Sequence, residues 1–182
     1  MGFTFMCANM TVVLGGASSG KSDIAEKLCI NSMLRKVYLA SAECLDQEMR
    51  TKVAQHRTKR GGEWCTIEEP LGASRVISDR KAGEILLFDC ATMWLTNHLL
   101  ADHDLSRETD ALLDAIKSSP AEVVIVSNET GLSVVPENAL ARRFRIAQGD
   151  LNRRLAAQAD TVIGVMAGLP FALKGNLPAG LS

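Results

Sequence analysis

The sequence predicts an α/β protein with a mostly parallel sheet between helical layers, folded as a single domain. Short β-branched runs alternate with longer helical patterns along the chain. Runs such as VVIV at residues 123–126 are apolar throughout, as in strands that are covered on both faces. Strands separated by helices form right-handed crossovers, and such crossovers build a parallel sheet.

Five strands and one long helix carry this expectation. The strands cover Thr11–Leu14, Lys36–Ala40, Glu84–Asp89, Glu122–Ser127 and Thr161–Met166. The clearest helical pattern covers residues 138–158, where apolar residues from Leu140 to Leu155 recur at spacings of three and four and so share one face.

Composition limits the classes of function. The 182 residues fit one domain, with 1–10 and 175–182 peripheral and the last segment frayed. The chain carries 20 Lys and Arg against 21 Asp and Glu, a balance that disfavours nucleic acid as the main partner. We expect a cytoplasmic protein without a membrane span, because no window reaches about 18 uninterrupted apolar residues and the start resembles no signal peptide. Five cysteines without a CxxC pair indicate free thiols.

A phosphate-binding pattern follows the first strand directly. Residues 15–22, GGASSGKS, match G-x-x-x-x-G-K-[ST], which is typical of P-loop NTPases. The glycines allow a tight turn whose N–H groups point towards one anion. Lys21 is expected to reach the β- and γ-phosphates, and the Ser22 hydroxyl to bind Mg²⁺. The alternative is a glycine-rich turn with an incidental lysine.

A second magnesium ligand is expected at the end of another strand. The apolar run from Glu84 ends at Asp89, where P-loop proteins place the carboxylate that supports the cation. The competing interpretation is that Asp89 caps a helix beginning at Ala91.

A basic helical pattern covers residues 46–60. His56 lies one turn from Lys52 and from Arg60, and the positive charge around it favours a neutral imidazole near pH 7. A neutral imidazole beside a bound nucleotide is a competent nucleophile towards phosphorus. The alternative is a solvated surface histidine. His98 and His103 carry no charge cluster, and we interpret both as structural.

Short segments in a fixed order then match a known family. They are Gly15–Ser22, Tyr38–Ser41, Asp46–Met49, His56–Arg60, Trp64–Glu68, Asp89–Cys90, Ser127–Glu129, Val135–Pro136, Arg143–Arg145 and Leu151–Asn152. With these segments the chain resembles, over residues 11–174, the bifunctional adenosylcobinamide kinase/adenosylcobinamide-phosphate guanylyltransferases of cobalamin biosynthesis. The resemblance implies phosphorylation of adenosylcobinamide with ATP or GTP, then transfer of GMP from GTP with release of pyrophosphate.

The resemblance also implies roles for residues and partners. His56 would be the histidine that carries GMP, the corrinoid would be the small-molecule substrate, and the enzyme would assemble as a homotrimer. The implied nucleotide contacts are Gly15, Gly16, Ala17, Ser18, Ser19, Gly20, Lys21, Ser22, Ala40, Ser41, Ala42, Arg57, Thr58, Lys59, Arg60, Glu68 and Asp89. Positions that depart from the family pattern are Ser18, Gly61, Ser133, Ile146 and Asp150.

Several interpretations remain open from the sequence. The arginines at 142, 143, 145, 153 and 154 either bind a substrate phosphate or form the solvated side of the last long helix. We interpret them as solvated, with Arg145 the expected exception that binds phosphate. Glu129 either positions the substrate or braces its loop. The alternatives for the whole protein are a P-loop kinase without a covalent intermediate and a nucleotide-gated regulatory protein.

Overall fold

The computed structural model describes residues 9–42 and 63–181. Within these ranges, strands and helices alternate along the chain. The strands are β1 Met10–Gly15, β2 Arg35–Ala40, β3 Trp64–Glu68, β4 Glu84–Asp89, β5 Glu122–Asn128, β6 Thr161–Met166 and β7 Leu169–Lys174. The helices are α1 Lys21–Asn31, α2 Ala73–Ser78, α3 Ala91–Leu100, α4 Leu105–Ser118 and α5 Ala139–Gln158.

The strands form one sheet in the order β3-β2-β4-β5-β1-β6-β7. Every neighbouring pair is parallel except β6 and β7, which form an antiparallel hairpin. The α/β class, the mostly parallel sheet and the five predicted strands are confirmed. The strand order also determines which segments meet at the site. β5 lies between β1 and β4, so the carboxyl ends of these three parallel strands are neighbours at one edge of the sheet.

Two strands were not expected from the sequence, and both lie at the edges of the sheet. β3 has no fully buried residue, and β7 exposes most of its side chains. Edge strands need not be apolar on both faces, so neither carries the continuous apolar run by which the central strands are recognised.

Each face of the sheet has its own hydrophobic core. On one face α1 contributes Ala25 and Cys29, which pack among Val13, Leu87 and Val126. The other face is covered by α3, α4 and α5, with buried side chains that include Phe88, Trp94, Leu112, Leu151 and Leu155. The predicted helix over 138–158 is confirmed as α5, and the Asn138 side chain accepts hydrogen bonds from the backbone N–H groups of Leu140 and Ala141 at its start.

The expectation that the C-terminal segment frays is wrong for the described part of it. Leu181 is only 5% exposed and belongs to the core beneath α1, with Leu177 packed against it. These two leucines give the segment enough apolar surface to bury, although their spacing shows no helical or strand periodicity. No helix in the described ranges has the length and apolar character needed to cross a membrane.

Candidate functional site

The phosphate loop, residues Gly15–Ser22, joins β1 to α1 at the carboxyl edge of the sheet. Gly15 pairs with Asn128 of β5 on one side and with Val165 of β6 on the other. A Cβ on Gly15 would lie 2.7 Å from the Val165 carbonyl oxygen and would overlap the Ser19 hydroxyl. Ser18 and Gly20 have φ values of 55° and 91°, the left-handed region that turns the chain sharply. The loop geometry therefore requires glycine at 15 and favours it at 20.

Neighbouring loops fix the phosphate loop from both sides. The Glu129 backbone N–H donates to the Gly15 carbonyl oxygen at 3.0 Å. The Gly168 N–H, in the β6–β7 turn, donates to the Ser19 carbonyl oxygen at 2.9 Å. Within the loop, the Lys21 ammonium donates to the Gly16 carbonyl oxygen at 3.0 Å. The loop is thus held by the two segments that flank it in the sheet.

The N-terminus of α1 faces the same place. Gly20 is its N-cap and, among the described residues, no side chain hydrogen-bonds the first N–H groups of the helix. Those groups and the helix dipole attract an anion. Lys21 and Ser22 begin the helix and are both half-buried. This arrangement suits a nucleotide's phosphates.

Asp89 ends β4 at the same edge of the sheet. It is level with Ala40 of β2, which in turn is level with Glu68 of β3. The Tyr38 hydroxyl donates to Asp89 Oδ2 at 3.1 Å. The N-cap position of α3 belongs to Cys90, the residue that follows Asp89. The magnesium role of Asp89 stays a prediction.

The pKa of the Cys90 thiol is affected by two charged groups of the site, Asp89 and Lys21. Burial raises its pKa to about 11, the Asp89 carboxylate adds to the increase, and the Lys21 ammonium opposes it. Asp89 and Lys21 therefore act on one thiol, although they come from β4 and α1. The thiol stays protonated near neutral pH and is not a nucleophile.

Ser41 braces the turn that follows Asp89. Its side chain is fully buried, and its hydroxyl donates to the Cys90 carbonyl oxygen at 2.6 Å and accepts from the Cys90 N–H at 3.0 Å. Ala40 is also buried, and Ala42 is half-buried. Of the three expected nucleotide contacts, Ala42 is the least enclosed. Glu68 is exposed at the end of β3.

A buried polar network supports the loop that follows β5. The Ser127 hydroxyl donates to Asn152 Oδ1 at 2.7 Å and accepts from Gln148 Nε2 at 2.9 Å. Asn152 Nδ2 donates to the Asn128 carbonyl oxygen at 3.0 Å. Glu129 follows, and its carboxylate accepts from the Gly131 N–H. Glu129 thus braces its own loop while its backbone holds Gly15.

A cavity of about 620 Å³ lies against the phosphate loop, and we call it the apolar cavity. It is lined by Leu14, Gly15, Gly16, Ala17, Ser18, Ser19, Glu129, Leu132, Ser133, Gly164, Val165, Met166, Ala167, Phe171 and Leu173. The phosphate loop, the 129–133 loop and the β6–β7 hairpin therefore meet around one space. Lys21, Ser22 and Asp89 are not among these lining residues.

The arginines of α5 mostly bind surface groups, as expected. Arg143 lies 3.5 Å from Asp102, Arg153 lies 2.7 Å from Asp150, and Arg154 pairs with Asp110. Arg142 donates to the carbonyl oxygens of Pro136 and Glu137. The Arg145 guanidinium donates to the Gly131 carbonyl oxygen at 2.6 Å, and its contact with a substrate phosphate stays a prediction.

The histidines divide between the described and undescribed parts of the chain. His56 and Arg57–Arg60 lie outside the described residues, so their predicted roles stay predictions. His98 is buried, with its ring against Trp94 and its Nε2 3.1 Å from the Leu71 carbonyl oxygen. Its Nδ1 lies 2.9 Å from that of His103. Both rings contribute to packing, in agreement with a structural role.

Sequence reasoning missed the side of the site that the β6–β7 hairpin supplies. Phe171 lies over Gly164, where a Cβ would overlap the phenyl ring, and Gly168 bonds the phosphate loop. Gly164 could have indicated this side of the site, because a glycine inside a strand is typical of a place where another group approaches the backbone closely.

Comparisons with known proteins agree with this geometry. Residues 11–173 match the family described as "Cobinamide kinase / cobinamide phosphate guanyltransferase". The bifunctional adenosylcobalamin biosynthesis protein CobP of Pseudomonas aeruginosa is 45% identical over 168 residues, which cover 91% of this chain and 97% of that protein. The corresponding protein CobU of Escherichia coli is 36% identical over 181 residues, which cover 91% and 99%.

Solved structures of low identity share the fold. The flagellar accessory protein FlaH of Methanocaldococcus jannaschii has a TM-score of 0.57 at 15% identity and covers 93% of this chain and 80% of its own. The ATPase EscN of the enteropathogenic E. coli type III secretion system has a TM-score of 0.53 at 13% identity, covering 90% and 43%. At these identities the likeness shows the fold alone, that of P-loop NTPases.

Proposed function

The chain belongs to the cobinamide kinase / cobinamide phosphate guanyltransferase family, and from this membership we propose how its residues divide two consecutive reactions of cobalamin biosynthesis. In the first, the hydroxyl of the aminopropanol arm of adenosylcobinamide takes the γ-phosphoryl group of ATP or GTP. In the second, GMP passes from GTP to the phosphorylated product, which gives adenosylcobinamide-GDP and pyrophosphate. The phosphate loop at the end of β1 is the observation that carries the proposal.

The loop and the start of α1 would hold the triphosphate. The N–H groups of Gly16–Gly20 and of the first turn of α1 would bind phosphate oxygens, and Lys21 would leave the Gly16 carbonyl oxygen to reach the β- and γ-phosphates. Lys21 then neutralises charge that develops as the γ-phosphoryl group is transferred.

The donor set fits Mg²⁺, which takes oxygen ligands and commonly combines one or two protein oxygens with substrate phosphates. Ser22 offers a hydroxyl at the start of α1, and Asp89 offers a carboxylate held by Tyr38 at the end of β4. Within the described residues no group of three or more His, Cys, Asp or Glu side chains could hold a metal, which agrees with an ion that depends on the nucleotide. When bound, Mg²⁺ supplies charge neutralisation at the phosphates.

His56 would carry out the second reaction through a covalent intermediate. A ring nitrogen of the neutral imidazole attacks the α-phosphorus of GTP, and the bond to the pyrophosphate oxygen breaks. A phosphate oxygen of adenosylcobinamide phosphate then attacks the same phosphorus, and the imidazole leaves. The cations at Arg57, Lys59 and Arg60, with Thr58, would hold the nucleotide. Glu68 would contact it from the end of β3, and Ala42 from the segment that follows β2.

The residue pattern and the family support this assignment of His56. Three of the implied nucleotide contacts, Ala40, Glu68 and Asp89, lie level on three neighbouring strands. We further propose that the enzyme acts in the cytoplasm as a homotrimer. The free thiols of Cys29, Cys65 and Cys90 suit a reducing compartment. Light scattering would then give about three times the chain mass of 19.6 kDa, whereas a monomer mass would contradict the trimer.

Labelled GTP tests the covalent step. With α-labelled GTP we expect the wild type to retain an acid-labile, base-stable label, and with γ-labelled GTP we expect none, because pyrophosphate leaves with the γ-phosphate. His56→Ala should lose the α-label but still phosphorylate adenosylcobinamide. His103→Ala, at an exposed histidine, is the matched control and should label normally.

The same experiment separates the alternatives. Equal labelling of His56→Ala would end the assignment of the nucleophile. A wild type that phosphorylates adenosylcobinamide and retains no α-label would be a kinase without a covalent intermediate. Slow GTP hydrolysis without transfer to a corrinoid would indicate a nucleotide-gated protein.

A further inference from the structure

We propose that the apolar cavity is the docking site of the corrinoid acceptor, which turns its arm hydroxyl towards the phosphate loop. This inference rests on the proposed function, because it assigns a place to the acceptor of the kinase reaction. The cavity volume of about 620 Å³ lies within the usual range for small-molecule sites, about 300–1,000 Å³. It is large enough for the arm and one edge of a macrocycle.

The lining chemistry favours a neutral, largely apolar ligand over a nucleotide. The lining residues include Leu14, Leu132, Met166, Phe171 and Leu173, but no lysine, arginine or histidine. The phosphate loop borders the cavity through Gly15–Ser19, but the Lys21 ammonium and the first residues of α1, which supply the positive charge that a triphosphate requires, are not among the lining residues. A corrinoid instead presents methyl groups and neutral amides along its rim, which suit apolar walls with a few polar groups.

The apolar surface continues outside the cavity. Leu132 is 87% exposed, Leu173 59% and Phe171 43%, and all three also line the cavity. Val134 and Leu169, next to these segments in the chain, are 91% and 71% exposed. Single exposed apolar residues are common, but several of them on the segments that line a cavity indicate a binding surface. The part of a macrocycle that the cavity does not hold would lie on this surface.

The cavity approaches the phosphate loop from the face opposite α1. Ile163 of β6 packs in the core beneath α1. Because side chains alternate between the faces of a strand, Gly164 and Met166 lie on the opposite face, and both line the cavity. The Phe171 ring occupies the space that a side chain at position 164 would need. It therefore packs directly against the backbone of Gly164. Phosphates held by the loop and an acceptor in the cavity would therefore lie next to each other. Such proximity favours direct transfer of the γ-phosphoryl group.

Glu129 provides the polar contact for the acceptor. It is the one carboxylate among the lining residues, its N–H donates to the Gly15 carbonyl oxygen at 3.0 Å, and its carboxylate accepts from the Gly131 N–H. These bonds fix it beside the loop. The remaining carboxylate lone pairs would accept a hydrogen bond from the arm hydroxyl and orient its oxygen.

Substitutions at exposed lining residues test the location without removing core side chains. In Leu132→Gln and Leu173→Gln we expect the KM for adenosylcobinamide in the kinase reaction to rise about five- to tenfold and the KM for GTP to stay unchanged. Equilibrium dialysis with cobinamide should show the same loss of affinity. The control is Leu100→Gln, at a leucine of α3 that is 64% exposed and does not line the cavity.

Glu129→Gln separates orientation of the hydroxyl from a structural role. We expect kcat of the kinase reaction to fall at least tenfold, because the amide accepts a weaker hydrogen bond. Guanylyl transfer to preformed adenosylcobinamide phosphate should keep its rate, since that reaction does not use the hydroxyl. An equal loss in both reactions would contradict the role of Glu129.

The other outcomes overturn the location while leaving the proposed function intact. Unchanged kinetics in both leucine variants would show that the acceptor binds elsewhere. A rise in the KM for GTP alone would make the cavity a nucleotide site. A change of mass in light scattering with unchanged KM values would make it a contact between copies of the chain. The proposed function itself is tested separately, by corrinoid product formation and by retention of the α-label in the wild type.

Discussion

Gly15 shows how one residue sets the shape of the phosphate loop. It occupies the last position of β1, between β5 and β6, where the Val165 carbonyl oxygen and the Ser19 hydroxyl fill the space that a side chain would need. Gly16, the next residue, is exposed, and among the described residues no atom lies within 4 Å of a Cβ built on it. Of these two glycines, only Gly15 is required to be small by the atoms around it.

The pair gives a matched prediction. Gly15→Ala should lower the free energy of unfolding by about 1–3 kcal/mol, because the methyl group must displace backbone of β6 or of the loop. Gly16→Ala should change it by about 0.5 kcal/mol or less, since its Cβ meets open space. Urea unfolding of both variants measures the difference. Equal destabilisation would show that the loop can relax around Gly15.

Residues in contiguous motifs were predictable from the sequence, whereas isolated ones were not. Lys21 and Ser22 belong to a pattern whose spacing already expresses the geometry of a strand, a turn and a helix N-terminus. Tyr38 binds Asp89 from 51 residues away, and Phe171 contacts Gly164 across a hairpin. Such pairs depend on how strands are ordered in the sheet, and no local spacing encodes that order.

At the scale of elements, α5 is fixed to β5 by polar as well as apolar contacts. Ser127 of β5 is completely buried, and its hydroxyl bonds both Asn152 and Gln148 of α5. Buried polar groups are costly unless they are paired, so this network defines one position of the helix along the strand. The carbonyl oxygen of Asn128, which directly precedes Glu129, is held by the same helix.

Ser127→Ala should lower the free energy of unfolding by about 1–3 kcal/mol, because it removes the hydrogen bonds to Asn152 and Gln148 and leaves polar atoms of α5 buried with fewer partners. Ser78→Ala is the matched control, at an exposed serine of α2, and should stay within about 0.5 kcal/mol of the wild type. Chemical denaturation provides the measurement. A Ser127→Ala enzyme as stable as the control would mean that the network contributes no net stability.

The central strands and α5 were predictable because their patterns reflect burial directly. A strand covered on both faces is apolar throughout, and a helix covered on one face repeats its apolar residues every three or four positions. β3 and β7 are half-exposed at the two edges of the sheet, so the same burial pattern is missing from both. Because β7 was not predicted from the sequence, the β6–β7 hairpin and the part of the cavity that it lines were not predicted either.

At the scale of the whole molecule, the order of the strands in the sheet brings the segments of the site together. β5 separates β1 from β4, so the phosphate loop, Glu129 and Asp89 end three adjacent strands at one edge of the sheet. Ligands of open parallel sheets bind at this edge. The sequence predicted a parallel sheet but not the order of its strands, so it could propose phosphate and metal contacts but no location for the acceptor.

The buried histidine should make the folded molecule sensitive to mild acid. Burial lowers the pKa of His98, opposed by its bond to the Leu71 carbonyl oxygen and by nearby Glu108, while His103 adds to the decrease. Because the unfolded chain binds this proton more readily, the contribution of the neutral ring to stability is complete above the ordinary histidine pKa of about 6.5 and is lost as the pH falls below it.

The free energy of unfolding should therefore decline between pH 7.5 and 5.5, by at most about 1.4 kcal/mol per pH unit for this one proton. Urea titrations of the wild type and His98→Gln across this range measure the slope, and the variant should show the flatter one whatever its absolute stability. The ring of His103 disfavours the charged form of His98, and His103→Gln removes it. His103→Gln should therefore reduce the pH dependence of the free energy of unfolding, but by less than His98→Gln does. Parallel slopes in the wild type and His98→Gln would contradict the assignment, because the acid sensitivity would then come from other groups.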